Sequence, residues 1–438
     1  MLELIISKIL SILIGLSLFG YSNLLKKISG NIHTPGSLYS LYWSIIIIIP
    51  NIFLYFVPIN PLPLIFILFS AFAFSISGLL YDWKRISNNF YDSKLSFRNS
   101  LGSNFLRLIF FVSFICAILF PILMLEQNGF SIELFLVDWI KTSSTYATSR
   151  STEDNYEYGI IGQLSTFFPL FVSAIGGAIS SSFCTFKKRI NYFILSMLPA
   201  FLFMLTHSSK ILFLYSFLFY LSVIVTFRLL FHNKISFGRR YIKLIFYFGI
   251  LFFPLFIFSF KLRDGYNDDS ESIILSTILS YVFGSIFAFS DFFSSFLGFN
   301  TLSRYVVEDH YTFGYYTFKS LFDFFGGSKY FPPGYYYDFY SHDNFIQTNI
   351  FTIFRQLIQD FSVFGSIIFL FFLGFLVNLL YFMFFKLRYP YLMLSLLVLF
   401  FVFLGMSQMF SIFTNRLCVF VSFAFYIILR FNTFKLFK

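Results

Sequence analysis

The sequence predicts an all-α polytopic membrane protein of about eleven transmembrane helices (ten to twelve), with a large loop before the last three. Three observations lead there. Charged residues make up 12% of the chain, where a soluble globular protein carries about a quarter. Apolar runs of about 20 residues, each long enough to span a bilayer as helix, recur from end to end. The short alternating segments of a membrane β-barrel are not evident.

Taken in order, spans are expected near 4–24, 38–57, 62–81, 105–125, 160–182, 190–206, 211–231, 244–260, 362–385, 390–407 and 411–430. Residues 1–260 then hold eight helices with a smaller outer loop at 126–159. Residues 261–361 form the large loop, and 362–438 hold the last three helices and a cytoplasmic C-terminus. The first run ends in Tyr21-Ser22-Asn23-Leu24-Leu25-Lys26-Lys27, without a small-residue cleavage site, so it is expected to stay.

Orientation comes from the basic residues. Lys26 and Lys27, then Lys84, Arg85, Lys94, Arg98 and Arg107, lie in or beside connections on one face. Lys187 to Arg189, Arg228, Lys234, Arg239, Arg240, Lys243, Lys386, Arg388, Arg430, Lys435 and Lys438 follow on that face. That is 20 of 31 basic residues, accompanied only by Asp82 and Asp92. The other face carries 17 of the 20 acids. The net charge of +11 is therefore a topology signal; no basic stripe with interleaved aromatics offers a nucleic-acid groove. An odd number of spans puts the N-terminus outside with the 261–361 loop. No internal repeat is visible, which argues against an inverted-repeat transporter.

The two outer loops hold the candidate chemistry. In the first, Ser131–Tyr146 reads as an interfacial helix, and Arg150 precedes Glu153, Asp154 and Glu157. Arg150 reads equally as a solvated arginine. The second opens with Lys261-Leu262-Arg263-Asp264-Gly265 at a span end. An arginine there can fork onto phosphate oxygens, or simply anchor the helix by snorkelling. Leu275–Phe299, interrupted by Gly284, Asp291 and Gly298, reads as one or two helices on or in the outer leaflet. Arg304 follows, then a tyrosine-dense tract that includes Tyr305, Tyr316, Tyr336 and Tyr340. Phenol rings suit sugar C–H faces; an interfacial aromatic belt is the competing explanation. His310 and His342 lack paired-ligand spacing, and Cys116, Cys184 and Cys418 lie in apolar runs, so no metal site or disulfide framework is expected. Nor is any cofactor: the chain has no GxGxxG, GxxxxGK[ST] or DxD stretch.

The segment 349–361 reads Asn-Ile-Phe-Thr-Ile-Phe-Arg-Gln-Leu-Ile-Gln-Asp-Phe. Asn349, Thr352, Arg355, Gln356, Gln359 and Asp360 recur at helical spacing, opposite Phe354, Leu357, Ile358 and Phe361. Such a polar stripe entering a span lines a substrate cavity or makes a helix–helix contact, for instance through an Arg355–Asp360 pair.

Asn349-Ile350-Phe351-Thr352-Ile353-Phe354-Arg355 with Asp360-Phe361-Ser362-Val363-Phe364-Gly365 resembles the N-x-x-T-x-x-R…D-F-(G)-x-x-G stretch of Wzy-type O-antigen polymerases. Ser362 stands where that family usually has glycine. Leu279–Gly284 with Phe287-Ala288-Phe289 is similar to a second family stretch, and Thr206–Lys210 to a short outer turn. The resemblance spans the whole predicted topology. It implies a GT-C-like, metal-independent membrane glycosyltransferase in the bacterial inner membrane. That enzyme would polymerise undecaprenyl-pyrophosphate-linked oligosaccharide repeat units at the periplasmic face, beside a flippase and a chain-length regulator.

Such chemistry needs cations on the pyrophosphate leaving group and a base at the acceptor hydroxyl. On the outer face this chain offers Arg150, Lys210, Arg263, Arg304 and Arg355 as cations, with Asn349, Thr352 and Tyr336 for the substrate. The candidate bases are His310, His342, Asp343 and Asp360. An O-antigen ligase is the nearest alternative, and a polysaccharide flippase a more distant one.

Overall fold

A computed structural model describes residues 2–30, 32–83, 101, 103–152, 159–182, 185–207, 210–232, 246, 249, 254, 257, 271–298, 305, 311–324, 336, 338–343, 345–387 and 391–434. The chain is an all-α, multi-pass membrane protein. Among the described residues, nine helices are long and apolar enough to cross a bilayer. The helices are α1 (Leu2–Ile28), α2 (Pro35–Phe53), α3 (Pro61–Ile76), α4 (Asn104–Gln127), α5 (Ile132–Val137), α6 (Trp139–Thr152) and α7 (Ile160–Ser182). They continue with α8 (Phe186–His207), α9 (Lys210–His232), α10 (Glu271–Phe296), α11 (Lys319–Phe324), α12 (Ile353–Lys386), α13 (Tyr391–Met406) and α14 (Arg416–Phe434). A two-stranded hairpin, β1 (Tyr340–His342) and β2 (Ile346–Thr348), precedes α12. The span expected at 244–260 lies almost wholly outside the described residues.

The chain divides into two compact units. The first comprises Met1–Asn88, Glu271–Leu387 and Phe403–Arg416; the second comprises Asn89–Ser270, Arg388–Val402 and Leu417–Lys438.

In the first unit, α3 and α12 run parallel. Phe66 meets Phe354 at one end (centroids 5.6 Å apart), and Asn378 Nδ2 donates to Ser77 Oγ (3.2 Å) at the other. Between them, a Cβ on Gly374 would collide with the carbonyl of Phe74, so only glycine lets these backbones approach. Close approach at small residues is how membrane helices associate. Tyr381 Oη donates to the His33 carbonyl (2.8 Å) and its ring faces Trp83. Lys26, Lys27, Asp82 and Lys386 therefore share one end, the basic end. The opposite end collects the 54–60 connection, α10 and the hairpin.

Of the one or two helices expected over 275–299, the structure has one, α10. It is continuous, because Gly284 is a seat and not a break: β2 lies on it, with Thr348 Cγ2 only 3.0 Å from where a Cβ would stand. Gln347 N also donates to Ser280 Oγ there (2.9 Å). Phe283 stacks on Phe53, Phe287 lies under the Lys8 ammonium, Ser290 and Ser294 bond Asn60, and Phe293 meets Phe66. Through these described residues the helix meets α1, α2 and α3 near one end of each. Gly298, with φ +77°, stops it.

Helix α12 begins at Ile353, nine residues before the expected span at 362, and breaks at Ser362 (φ 69°, ψ 174°). The second segment matches the predicted span: Ser362 Oγ accepts from Gly365 N (3.2 Å) as its cap.

The second unit packs α8 on α9 through Phe193, Met197, Ala200, Met204, Phe213, Phe217, Tyr220 and Ile224, and α7 lies against both. The interfacial helix expected at 131–146 is two helices. Asp138 ends α5 and caps α6 through Lys141 N (3.1 Å). Tyr146 then sets α6 against the His207 ring of α8, with centroids 4.8 Å apart.

Candidate functional site

The first ten residues from Phe351 to Asp360 are all buried, so the expected amphipathic helix is enclosed on every face. Among the described residues the polar stripe divides into three separate jobs. Gln356 Oε1 accepts from Ser411 N (2.6 Å), tying the helix to the 407–414 connection. Asp360 accepts from Thr312 Oγ1 (2.5 Å), Tyr316 N (3.0 Å), Thr317 N (2.6 Å) and Thr317 Oγ1 (2.5 Å). Thr312 N and Phe313 N also cover the carbonyls of Gln359 and Asp360 that the Ser362 break exposes. A backbone break at membrane depth persists only where protein satisfies its polar groups. The Thr312 and Phe313 amides are those satisfiers, and the Asp360 carboxylate holds their segment in place. With about four lone-pair sites on a carboxylate, these four donors occupy it.

Arg355 is the third job. It does not pair with Asp360; its Nη2 donates to Asp338 Oδ2 at 2.5 Å. Its carbon Cζ lies 3.6 Å from the Tyr336 ring centroid, 4.1 Å from Phe351, 4.7 Å from Phe292 and 5.3 Å from Tyr305. These rings hold the cation by its faces. They leave Nε and Nη1 without a hydrogen-bond partner among the described residues, and the Tyr336 hydroxyl and Thr352 Oγ1 are likewise buried and unpartnered. Burial pushes the Tyr336 phenol well above its ordinary pKa, so it is a protonated donor. An unmet buried donor costs about 1–3 kcal/mol, more if charged. Arg355 thus has donor capacity that the described residues do not use.

Beside the cage lies a partly open cavity of about 390 Å³, lined by Pro58, Asn60, Phe287, Asp291, Ser341 and His342 among others. Asp291 links cavity and cage, since its Oδ2 accepts from Tyr305 Oη at 2.5 Å. Burial, then this bond, raise the Tyr305 pKa. His342, in β1, has Nε2 3.4 Å from Asp343 Oδ2, with Asp343 itself 85% exposed at the hairpin turn.

Of the sequence-predicted residues, the structure brings together Arg355, Thr352 and Tyr336. Asn349 joins them by donating from Nδ2 to the Tyr336 carbonyl (3.5 Å). His342 and Asp343 sit on the hairpin beside the cavity. Arg150, near the end of α6, and Lys210, first residue of α9, belong to the second unit. His310, Arg263 and Arg304 fall outside the described residues. Sequence reasoning missed Asp338 as the partner of Arg355 and Asp291 as the link between cage and cavity. An acid inside an otherwise apolar stretch was the available signal for Asp291; nothing in spacing pointed to Asp338.

No family model matches this chain, and no curated protein or solved structure matches it.

Proposed function

We propose that the protein is a metal-independent membrane glycosyltransferase that polymerises lipid-pyrophosphate-linked oligosaccharide repeat units, as the resemblance of the 349–365 stretch implies. The observation that carries the reading is Arg355: a buried guanidinium in an aromatic cage, with Nε and Nη1 unpartnered among the described residues. In the reaction, the bond between the donor sugar's anomeric carbon and the lipid pyrophosphate breaks. The acceptor hydroxyl oxygen forms the new glycosidic bond and gives up its proton. Arg355, with the Tyr336 and Thr352 hydroxyls, holds the departing pyrophosphate charge. His342 takes the proton, since it borders the cavity and Asp360 is already saturated with donors.

The growing chain rides on undecaprenyl pyrophosphate, and the acidic end of the first unit faces the periplasm from the bacterial inner membrane. A flippase delivers the units and a chain-length regulator works alongside.

Deleting the gene tests this against ligation. Cells lacking a polymerase display a single repeat unit on the lipid A core; cells lacking a ligase display core alone. Unchanged surface polysaccharide would overturn both.

A further inference from the structure

The cavity beside Asp291 has a lining that the Arg355 site does not account for. Its lining joins apolar Pro58 and Ile59 to polar Asn60, Asp291, Ser341 and His342. Its volume of about 390 Å³ falls in the range of small-molecule sites, roughly 300–1,000 Å³. An exposed apolar residue, Pro58, among hydroxyl, amide and carboxylate groups suits a ring that has one C–H face and a rim of hydroxyls. The carboxylate excludes the other obvious guest. An anion here would face Asp291 with no described cation on the lining, whereas a neutral polyol can donate to it.

The frame is rigid. Asn60 is fixed by Ser290 Oγ donating to its carbonyl (3.1 Å) and by its own Nδ2 bonding Ser294 Oγ (2.9 Å). Asp291 and Ser294 rise one turn apart on α10, and the Tyr340–Thr348 pairing fixes the hairpin opposite.

We infer that this cavity is a monosaccharide subsite and that Asp291 is its specificity-determining residue, accepting a hydrogen bond from a ring hydroxyl. Asp291 also holds Tyr305 at the edge of the Arg355 cage, so the sugar sits next to the anion site and its hydroxyl lies within the reach of His342. The role of that sugar as acceptor rests on the transferase reading; the subsite itself does not.

The test uses full-length protein in lipid nanodiscs and saturation-transfer NMR. The probes are the methyl glycosides of glucose, galactose, N-acetylglucosamine and rhamnose. At least one glycoside should receive saturation from the wild type. Ser341→Trp, which fills the cavity from an exposed position, should abolish it. The isosteric Asp291→Asn should weaken binding roughly tenfold or more, the usual worth of a hydrogen bond to a charged group. Arg355→Lys should leave it intact. Signals equal in wild type and Ser341→Trp, or no transfer to any glycoside, would overturn the subsite. Glycoside binding lost in Ser341→Trp while deletion of the gene leaves surface polysaccharide unchanged would instead keep the subsite and overturn the transferase reading.

Discussion

The Arg355 guanidinium and the Asp338 carboxylate form an ion pair at 2.5 Å, with the side chains only 1% and 8% exposed. Removing one partner of such a pair costs about 3–5 kcal/mol, because the other charge is left buried alone, whereas replacing both is often neutral. Arg355→Ala should therefore lower the melting temperature of the purified protein in detergent. Arg355→Met combined with Asp338→Asn should bring it back close to wild type. A double variant as unstable as Arg355→Ala would mean that the pair is not what buries this arginine.

Ser362 gives a second prediction. Its φ of 69° lies where a side chain costs roughly 1–3 kcal/mol, and its hydroxyl caps the segment that follows. Glycine removes the strain and loses only a few tenths of a kcal/mol of capping; alanine keeps the strain and loses about 1 kcal/mol. Melting temperatures should rank glycine at or above serine, and alanine below both. Glycine below alanine would refute the strain assignment.

The two ends of the first unit give a third. Lys26, Lys27 and Lys386 share the end opposite Asp291, Asp338 and Asp343. Reporter fusions at Asn128 and Tyr336 should report the periplasm. Fusions at Asn89, Phe237 and the C-terminus should report the cytoplasm. A cytoplasmic signal at Tyr336 would put the Arg355 site on the wrong side for lipid-linked units.

Much of the fold was legible because a bilayer imposes one rule on every span. Apolar length located α1 to α4, α7 to α9, α13 and the second half of α12 within a few residues. Charge counting anticipated which connections of the first unit share an end. The break in α12 was less visible, since Ser362 resembles any helical serine until its φ is known. The candidate site was half legible. Arg355 stood out as a charge entering a span, but helical periodicity placed Asp360, one turn and a little more away, as its natural partner. The true partner, Asp338, comes from a connection whose path no periodicity predicts, and Asp360 is drawn instead to the 312–317 backbone. Gly284 left one helix or two open for a related reason: a glycine that breaks a helix and one that seats a strand look alike in sequence.

The most direct test is the polysaccharide ladder of a deletion strain complemented at matched protein abundance with wild type, Arg355→Lys, or Arg355→Met with Asp338→Asn. The wild type should restore long chains. Lysine keeps the charge without the planar fork, so it should give shortened, sparse chains. The double variant, with its fold intact, should leave single repeat units on the lipid A core and lipid-linked units accumulating in the membrane. A buried charge-assisted contact is worth about 2–5 kcal/mol, or roughly thirty- to several-thousand-fold in rate, so no intermediate ladder is expected from it. Long chains of normal abundance from the double variant would contradict the assignment of Arg355 to the leaving pyrophosphate.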